Sequence, residues 1–298
     1  MPIRAKPANQ ARRAVREALA LGKARHDSKS DGKIHSLGTA RNYEQSLKLA
    51  AEWARENGHD GIAAWDNGIA GAYLEERAET VAQKTLDLDR QALQVLPHVE
   101  KLPRIRSEIE QADPGGRAYS NAQIEAIAEA QQERHRLATE IAHATGLRAH
   151  ELHTLAPVAE QPASAHREWS DERFEGREGE IYTVVGKGGL VREVCLPREL
   201  AERLEDARLA APKTVRDRGI IYEARYDVGG GKQWSDSFGA ASRRELGYST
   251  GAHGLRHSYA QERIGELMER GETYQDALGI VSQEMGHFRP DITEVYLR

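Results

Sequence analysis

The chain has 298 residues, 39% of them hydrophobic and 30% charged, with 42 Lys+Arg against 47 Asp+Glu. This mixture is too apolar for a disordered chain, and its length exceeds the roughly 250 residues that one core usually serves, so two domains are expected. The single Cys195 excludes an intrachain disulfide and a cysteine-based metal cluster, and fits a reducing cytoplasm. The sequence lacks an apolar run of about 18 residues, so no membrane span is expected, and its basic start lacks the apolar stretch of a secretory signal.

Charge is distributed unevenly. Residues 1–40 carry 9 basic and 3 acidic side chains, residues 41–115 carry 9 and 14, and residues 116–298 carry 24 and 30. A net charge of −5 argues weakly against nucleic-acid binding, whereas the basic first segment fits either a nucleic-acid tail or a solubilising end.

In chain order, residues 1–39 read as a basic flexible arm with a short helix around Ala11–Leu21. Arg41–Asn57 reads as a helix, with Tyr43, Leu47, Ala50, Ala51 and Ala54 as its apolar stripe and Gly58 as its stop. A turn at Ile62–Trp65 precedes helices at Ile69–Arg77, with Tyr73 and Leu74 inward, and at Thr80–Leu96, with Val81, Leu86, Leu88, Leu93, Val95 and Leu96 toward a core. Residues 40–111 thus form a helical bundle, and 112–119, with Asp113-Pro114-Gly115-Gly116, form a linker to a second domain at 120–298.

There Ser120 and Gln123 have capping-box spacing ahead of a helix whose buried side is Ile124, Ile127, Leu137 and Ile141, interrupted at Gly146. A short helix is expected at Arg148–Leu155. The β-prone runs Ile181–Val185 and Leu190–Cys195 flank Gly186-Lys187-Gly188-Gly189 as a hairpin. Pro197 opens a helix through Leu204, and 210–235 is ambiguous, with Gly229–Gly231 as a turn and a mobile loop. Helices follow at Ala240–Leu246, His253–Met268 and Tyr274–Met285, then a short turn or helix at Asp291–Tyr296. The expected fold class is mainly α with a small β-sheet: a helical bundle plus an α+β catalytic domain.

Five local patterns stand in order: Thr145-Gly-Leu-Arg148-Ala-His-Glu151-Leu, Val185-Gly186-Lys187-Gly-Gly-Leu-Val-Arg192, His253-Gly-Leu-Arg256-His257, Met285-Gly-His287, and Tyr296 nine residues beyond His287. In this order and spacing the set closely resembles the tyrosine recombinase (phage integrase) family over about residues 117–298. Met285 stands where Leu is usual, a volume-conserving change. The helical 40–111 region is similar to the family's SAM-like core-binding domain in position and helicity alone.

The resemblance implies that Arg148 and Arg256 grip one phosphate, for which the guanidinium fork is suited. Tyr296 is implied as the nucleophile that forms a covalent 3′-phosphotyrosyl end. Lys187 would protonate the leaving 5′-oxygen or stabilise its charge, and Lys232 competes for that role. His253 would assist proton removal from Tyr296 or hold the phosphate, and His287 would donate to a non-bridging oxygen. Glu151 would orient Arg148, and His257 would support the site. Each residue alone also has an ordinary reading: Arg148 as an ion pair with Glu151, Lys187 as a solvated turn residue, the histidines as packed residues, and Tyr296 as a core tyrosine near a frayed end. His253 and His257 have zinc-like spacing, but Gly254 stands where a metalloprotease carries its glutamate, and the Gly-Lys-Gly-Gly run is not a phosphate-binding P-loop. No cofactor and no metal are expected.

The expected activity is site-specific recombination for integration or excision of a phage or mobile element. Alternatives are an Xer-like resolvase of replicon dimers, a topoisomerase IB-like relaxing enzyme, and a non-catalytic DNA-binding protein. Implied partners are duplex DNA carrying recombination sites, a homotetramer on that DNA, and an accessory DNA-bending protein, in a cytoplasmic, nucleoid-associated setting. Leu297 and Arg298 alone follow Tyr296, leaving no length for the C-terminal helix that links protomers in many family members, so weak association of free protein is expected.

Overall fold

The structure, a computed structural model, describes residues 5–21, 32–109 and 115–297; two units divide between Pro114 and Gly115. The first unit holds α1 (Pro7–Ala18), α2 (Leu37–Glu56), α3 (Asn67–Ala78) and α4 (Gln83–Leu93). α2 begins four residues before the expected start because the Ser36 side chain accepts from Thr39 N and caps it. Leu47, Ala50, Ala51 and Ala54 line its buried stripe, and the small alanines let neighbouring helices approach. Trp65 and Tyr73 anchor this core, with Trp53 edge-on to both.

Two expectations for this unit are corrected. Residues 7–18 are not part of a flexible arm: α1 packs against α2 and buries Ala11, Val15 and Ala18 in the shared core, while the Gln10 side chain accepts from Ile62 N. The arm's residues 22–31 and the linker's 112–114 lie outside the described residues. On α4 it is Asp89, not Leu88, that is buried, because Arg77 reaches it at 3.1 Å and compensates its charge.

The second unit begins with α5 (Asn121–Glu129), where Ser120 and Gln123 form the expected capping box, and α6 (Glu133–Thr145). These are two helices rather than one. At the break, the Ala130 carbonyl accepts from Arg244, Gln131 donates to Ser237, and Thr139 donates to Gln131, so the freed polar groups find partners. A 3-10 turn at Glu151–Thr154 leads into an antiparallel sheet of β1 (Ala156–Pro157), β2 (Glu180–Val185) and β3 (Val191–Leu196), in that order. Val185 pairs with Val191 at the expected hairpin.

α7 (Arg198–Asp206) follows Pro197, and the ambiguous 210–235 stretch contains a separate two-stranded ribbon, β4 (Arg208–Asp217) with β5 (Ile220–Tyr226). Gly229–Gly231 is held by close contact rather than left as a mobile loop. Gly229 N donates to Arg134 O and Gly231 N to Ala149 O, and a Cβ on Gly230 would meet the His153 ring at 2.6 Å. The chain continues through α8 (Gly231–Leu246), α9 (Gly254–Glu269), α10 (Tyr274–Glu284), α11 (Pro290–Glu294) and a 3-10 turn at Val295–Leu297. Mainly helical with a small antiparallel sheet, the unit has the expected fold class.

α9 serves two cores. Leu255 joins the larger one with Ile141, Val184, Leu196, Trp234 and Phe238. Tyr259, Ala260, Ile264 and Leu267 join a smaller one with Leu278, Val281, Met285 and Tyr296. The end of the chain is thereby docked by its tyrosine. Among the described residues no helix is long and apolar enough to cross a membrane.

Candidate active site

Local geometry places Arg148 first. α6 ends at Gly146 in the left-handed region (φ +61°), where a Cβ would stand 2.7 Å from the Tyr259 ring, so glycine is required by both backbone and space. Two residues on, Arg148 is tied to Glu151 twice: its N–H donates to Oε2 and its Nη1 to Oε1, each at 2.8 Å. Glu151 is closed to solvent and receives a third bond from Arg192 Nη2 at 2.8 Å. Arg192 spends its other arm on the Glu284 carbonyl (2.6 Å), joining strand β3 to the end of α10. The base of the β2–β3 hairpin lies against the same carboxylate, since a Cβ on Gly186 would stand 3.3 Å from Glu151 Oε1.

α9 supplies the second arginine. Arg256 is fully buried on its first turn. Nη1 donates to the Gly146 carbonyl, and Nη2 to the Met285 carbonyl at 3.3 Å and to His287 Nε2 at 3.0 Å. Among the described residues, no carboxylate forms an ion pair with it, and its Nε has no partner. Because the guanidinium is a donor only, His287 Nε2 must be an unprotonated acceptor; Nδ1 then donates to Thr293 Oγ1 at 3.1 Å. Gly286 (φ +73°) permits this approach, for a Cβ there would sit 2.9 Å from Arg192 Cδ.

Tyr296 closes the group. Its ring stacks with His287 at 5.2 Å, lies 4.8 Å from His257 and 5.4 Å from His253, and has the Arg256 guanidinium carbon 5.4 Å from its centroid. Its main chain is fixed by α9, where Gln261 Nε2 donates to the Tyr296 carbonyl at 3.1 Å and His257 also bonds to the Tyr296 backbone.

Electrostatics follow from burial beneath several cations. Burial, then the Arg256 charge, lowers both His253 and His287 to about 3, and burial lowers His257 to about 4. Arg256 itself is lowered to about 10 by burial and by Arg148. Burial alone would raise Glu151, but Arg192, Arg148 and Arg256 together hold its carboxyl well below the usual carboxylate range. The site is thus a neutral-histidine pocket around two guanidiniums, one of which feels Glu151 only at a distance and forms no ion pair among the described residues. That is the electrostatic complement of a bound oxyanion.

Arg148, Glu151, His253, Arg256, His257, His287 and Tyr296 therefore converge within one unit. Lys187 opens the 3-10 turn Lys187–Gly189 between β2 and β3. Its competitor Lys232 opens α8 and pairs with Asp236. Among the described residues, no group of three or more His, Cys, Asp and Glu side chains could hold a metal. Sequence reasoning gave no role to Arg192, which shares the inward face of β3 with Val194 and Leu196; a charged residue in that alternation was the available signal. It also missed the buried Arg263–Glu284 pair, to which Tyr259 adds a 2.7 Å bond beneath the Met285–His287 loop.

No protein-family model and no curated protein sequence matches this chain. Solved structures do. The XerH site-specific recombinase bound to palindromic difH substrate, in a post-cleavage complex, is 14% identical with a TM-score of 0.58, covering 100% of this chain and 94% of its own. The Tn1549 transposon integrase in complex with a circular intermediate DNA is 16% identical with a TM-score of 0.52, covering 98% and 95%. A lambda integrase dimer bound to a COC′ core site is 17% identical with a TM-score of 0.55, covering 97% and 76%. The fold is that of the tyrosine recombinases.

Proposed function

We propose that this chain is a tyrosine site-specific recombinase that cuts and rejoins duplex DNA, serving integration and excision of a phage or other mobile element. The observation that carries this reading is Arg256: a buried guanidinium with no carboxylate partner among the described residues, under the ring of a docked tyrosine and bonded to a neutral histidine. Such a cation is stabilised by an anion that enters from outside, and a phosphodiester matches its fork. The fold shared with recombinases solved on DNA supports the same reading.

In this mechanism Arg148 and Arg256 bind the non-bridging oxygens of the scissile phosphate, and His287, once Arg256 no longer donates to its Nε2, takes the tautomer with the proton on Nε2 and donates it to the same group. The Tyr296 phenol oxygen attacks phosphorus, giving its proton to His253. The P–O5′ bond breaks, and the 5′-oxygen takes a proton from Lys187 at the hairpin. One phosphodiester bond forms as another breaks, so attack by a 5′-hydroxyl from another strand reverses the step without ATP. Glu151 and His257 position Arg148 and Tyr296 respectively. The first unit, α1 to α4, serves as the core-binding domain, and four protomers act on two DNA sites, with an accessory bending protein as a further partner.

The test is to express the protein with its native element, denature the cells, capture covalently attached DNA and sequence the joined ends, with Tyr296→Phe as control. Discrete ends that require Tyr296 support the reading. No adduct above the control, in a culture where the element moves, would overturn it.

A further inference from the structure

The second unit carries more acidic than basic residues, but its β4–β5 ribbon reverses the balance. Residues 208–226 hold five basic side chains against two acidic ones. Arg208 and Arg225 pair with Glu160 near the root. Toward the tip, Lys213 and Arg216 are exposed and form no ion pair among the described residues, and Arg218 stands 4.0 Å from Asp217. Ile221, 60% exposed, is the cross-strand partner of Arg216 on the outward face.

The inward face fixes the ribbon beside the proposed phosphate site. Tyr222 packs 5.4 Å from His153 and 6.4 Å from His150, which lie just beyond Arg148, and Ala224 and Tyr226 are buried. Asp217 accepts from Lys232 N and so holds the ribbon to the start of α8. The tip is a two-residue turn between paired Asp217 and Ile220, with Arg218 at φ +49° and Gly219 at φ +79°. That is a type I′ turn, whose first position suits Asn, Asp or Gly and strains an arginine. A long cation kept in a left-handed position, at the tip of a cationic ribbon on an acidic unit, calls for an anionic partner.

We propose that the β4–β5 ribbon is a second DNA-binding element, laying Arg216 and Arg218 along backbone phosphates at the major groove with Ile221 against base edges, while exposed Lys213, in register with Ala224 on the other face, reaches a phosphate from the free edge of β4. This rests on the DNA reading above. A two-stranded antiparallel ribbon has the width the major groove admits, and an exposed isoleucine can meet thymine methyl groups. Pro212 and Lys213 on the free edge of β4 disfavour the alternative of a strand added by another protein.

The experiment measures binding of the full chain to a random-sequence duplex by fluorescence anisotropy from about 50 mM to about 300 mM KCl, where each phosphate contact contributes about 0.9 to the slope of log K against log salt. The triple variant Lys213→Ala/Arg216→Ala/Arg218→Ala is expected to flatten that slope by about 2–3, whereas Arg198→Ala, on exposed α7, leaves it as in wild type. Arg218→Asn relieves the turn, so it is expected to raise Tm while weakening binding and flattening the slope. An unchanged slope in the triple variant overturns the ribbon proposal while leaving the recombinase reading intact. An unchanged slope accompanied by loss of self-association in sedimentation assigns the ribbon to protein contact and overturns it equally. Failure of the wild type to bind any duplex at low salt overturns both readings.

Discussion

Arg192 Nη2 stands 2.8 Å from Glu151 Oε2, and both side chains are closed to solvent. Glu151 in turn holds Arg148 by main chain and side chain, while the other arm of Arg192 holds the carbonyl of Glu284, three residues before His287. One buried arginine thus sets the spacing between the two ends of the candidate phosphate site. Removing one member of a buried pair strands the other charge, at a cost of about 3–5 kcal/mol. Arg192→Ala is expected to lose that much in chemical denaturation. Arg192→Lys retains the charge but cannot reach both partners, so its rate of covalent adduct formation falls further than its stability does.

Gly286 tests the same junction from the backbone side. Its left-handed conformation and the 2.9 Å approach of a Cβ to Arg192 Cδ both oppose a side chain. Gly286→Ala is expected to cost about 1–3 kcal/mol and to slow adduct formation through displacement of His287. Thermal unfolding and a cleavage time course check the two effects separately.

The Arg256 fork gives a sharper kinetic expectation. Lysine preserves the charge but not the two-armed geometry that spans the Gly146 carbonyl and His287. Arg256→Lys is expected to lower the rate of cleavage by about 10²–10³, the scale of losing one transition-state donor. A rate within a few-fold of wild type would remove Arg256 from the phosphate site.

The histidines carry a pH signature. With folded values of about 3 for His253 and His287 and about 4 for His257, the unfolded chain takes up protons near its ordinary value of about 6.5 while the folded site does not. Unfolded protein therefore binds more protons in that window, so stability falls as pH falls from about 6.5 toward 4. The depressed Glu151 carboxyl acts in the same sense lower still: its contribution is present above the usual carboxylate value and is lost as pH falls through its folded one. NMR titration of the imidazoles reads this directly. The rings of His253 and His287 should stay neutral down to about pH 4, with the single proton of His287 at Nδ1.

Much of the site was legible because its parts are short and ordered along the chain. Arg148 to Glu151, His253 to His257 and His287 to Tyr296 each lie within nine residues, and turn or helix geometry brings them onto one side. Arg192 was not legible because its partner Glu151 lies 41 residues upstream and its second contact, the Glu284 carbonyl, 92 residues downstream, so nothing local marks the pairing. The outer half of β4 escaped because Lys213, Thr214 and Arg216 face solvent and leave Val215 as its apolar mark, so the apolar run Ile220-Ile221-Tyr222 of β5 had no partner strand to read it against. The helix break at Ala130-Gln131-Gln132 carries neither Gly nor Pro; its cause is the set of bonds from α6 and α8. The sequence places a short helix around Ala11–Leu21 but does not reveal its packing, because its polar face dominates the composition, while Ala11, Val15 and Ala18 are a narrow stripe that has meaning only against α2.

The central claim, that Tyr296 is the nucleophile, is tested most directly on the trapped adduct. Nuclease trimming leaves a nucleotide stub on the protein, and peptide mass spectrometry locates it. The account predicts a 3′-linked nucleotide on the Tyr296 phenol oxygen, absent in Tyr296→Phe. A stub on any other residue, or one that persists in Tyr296→Phe, would contradict it.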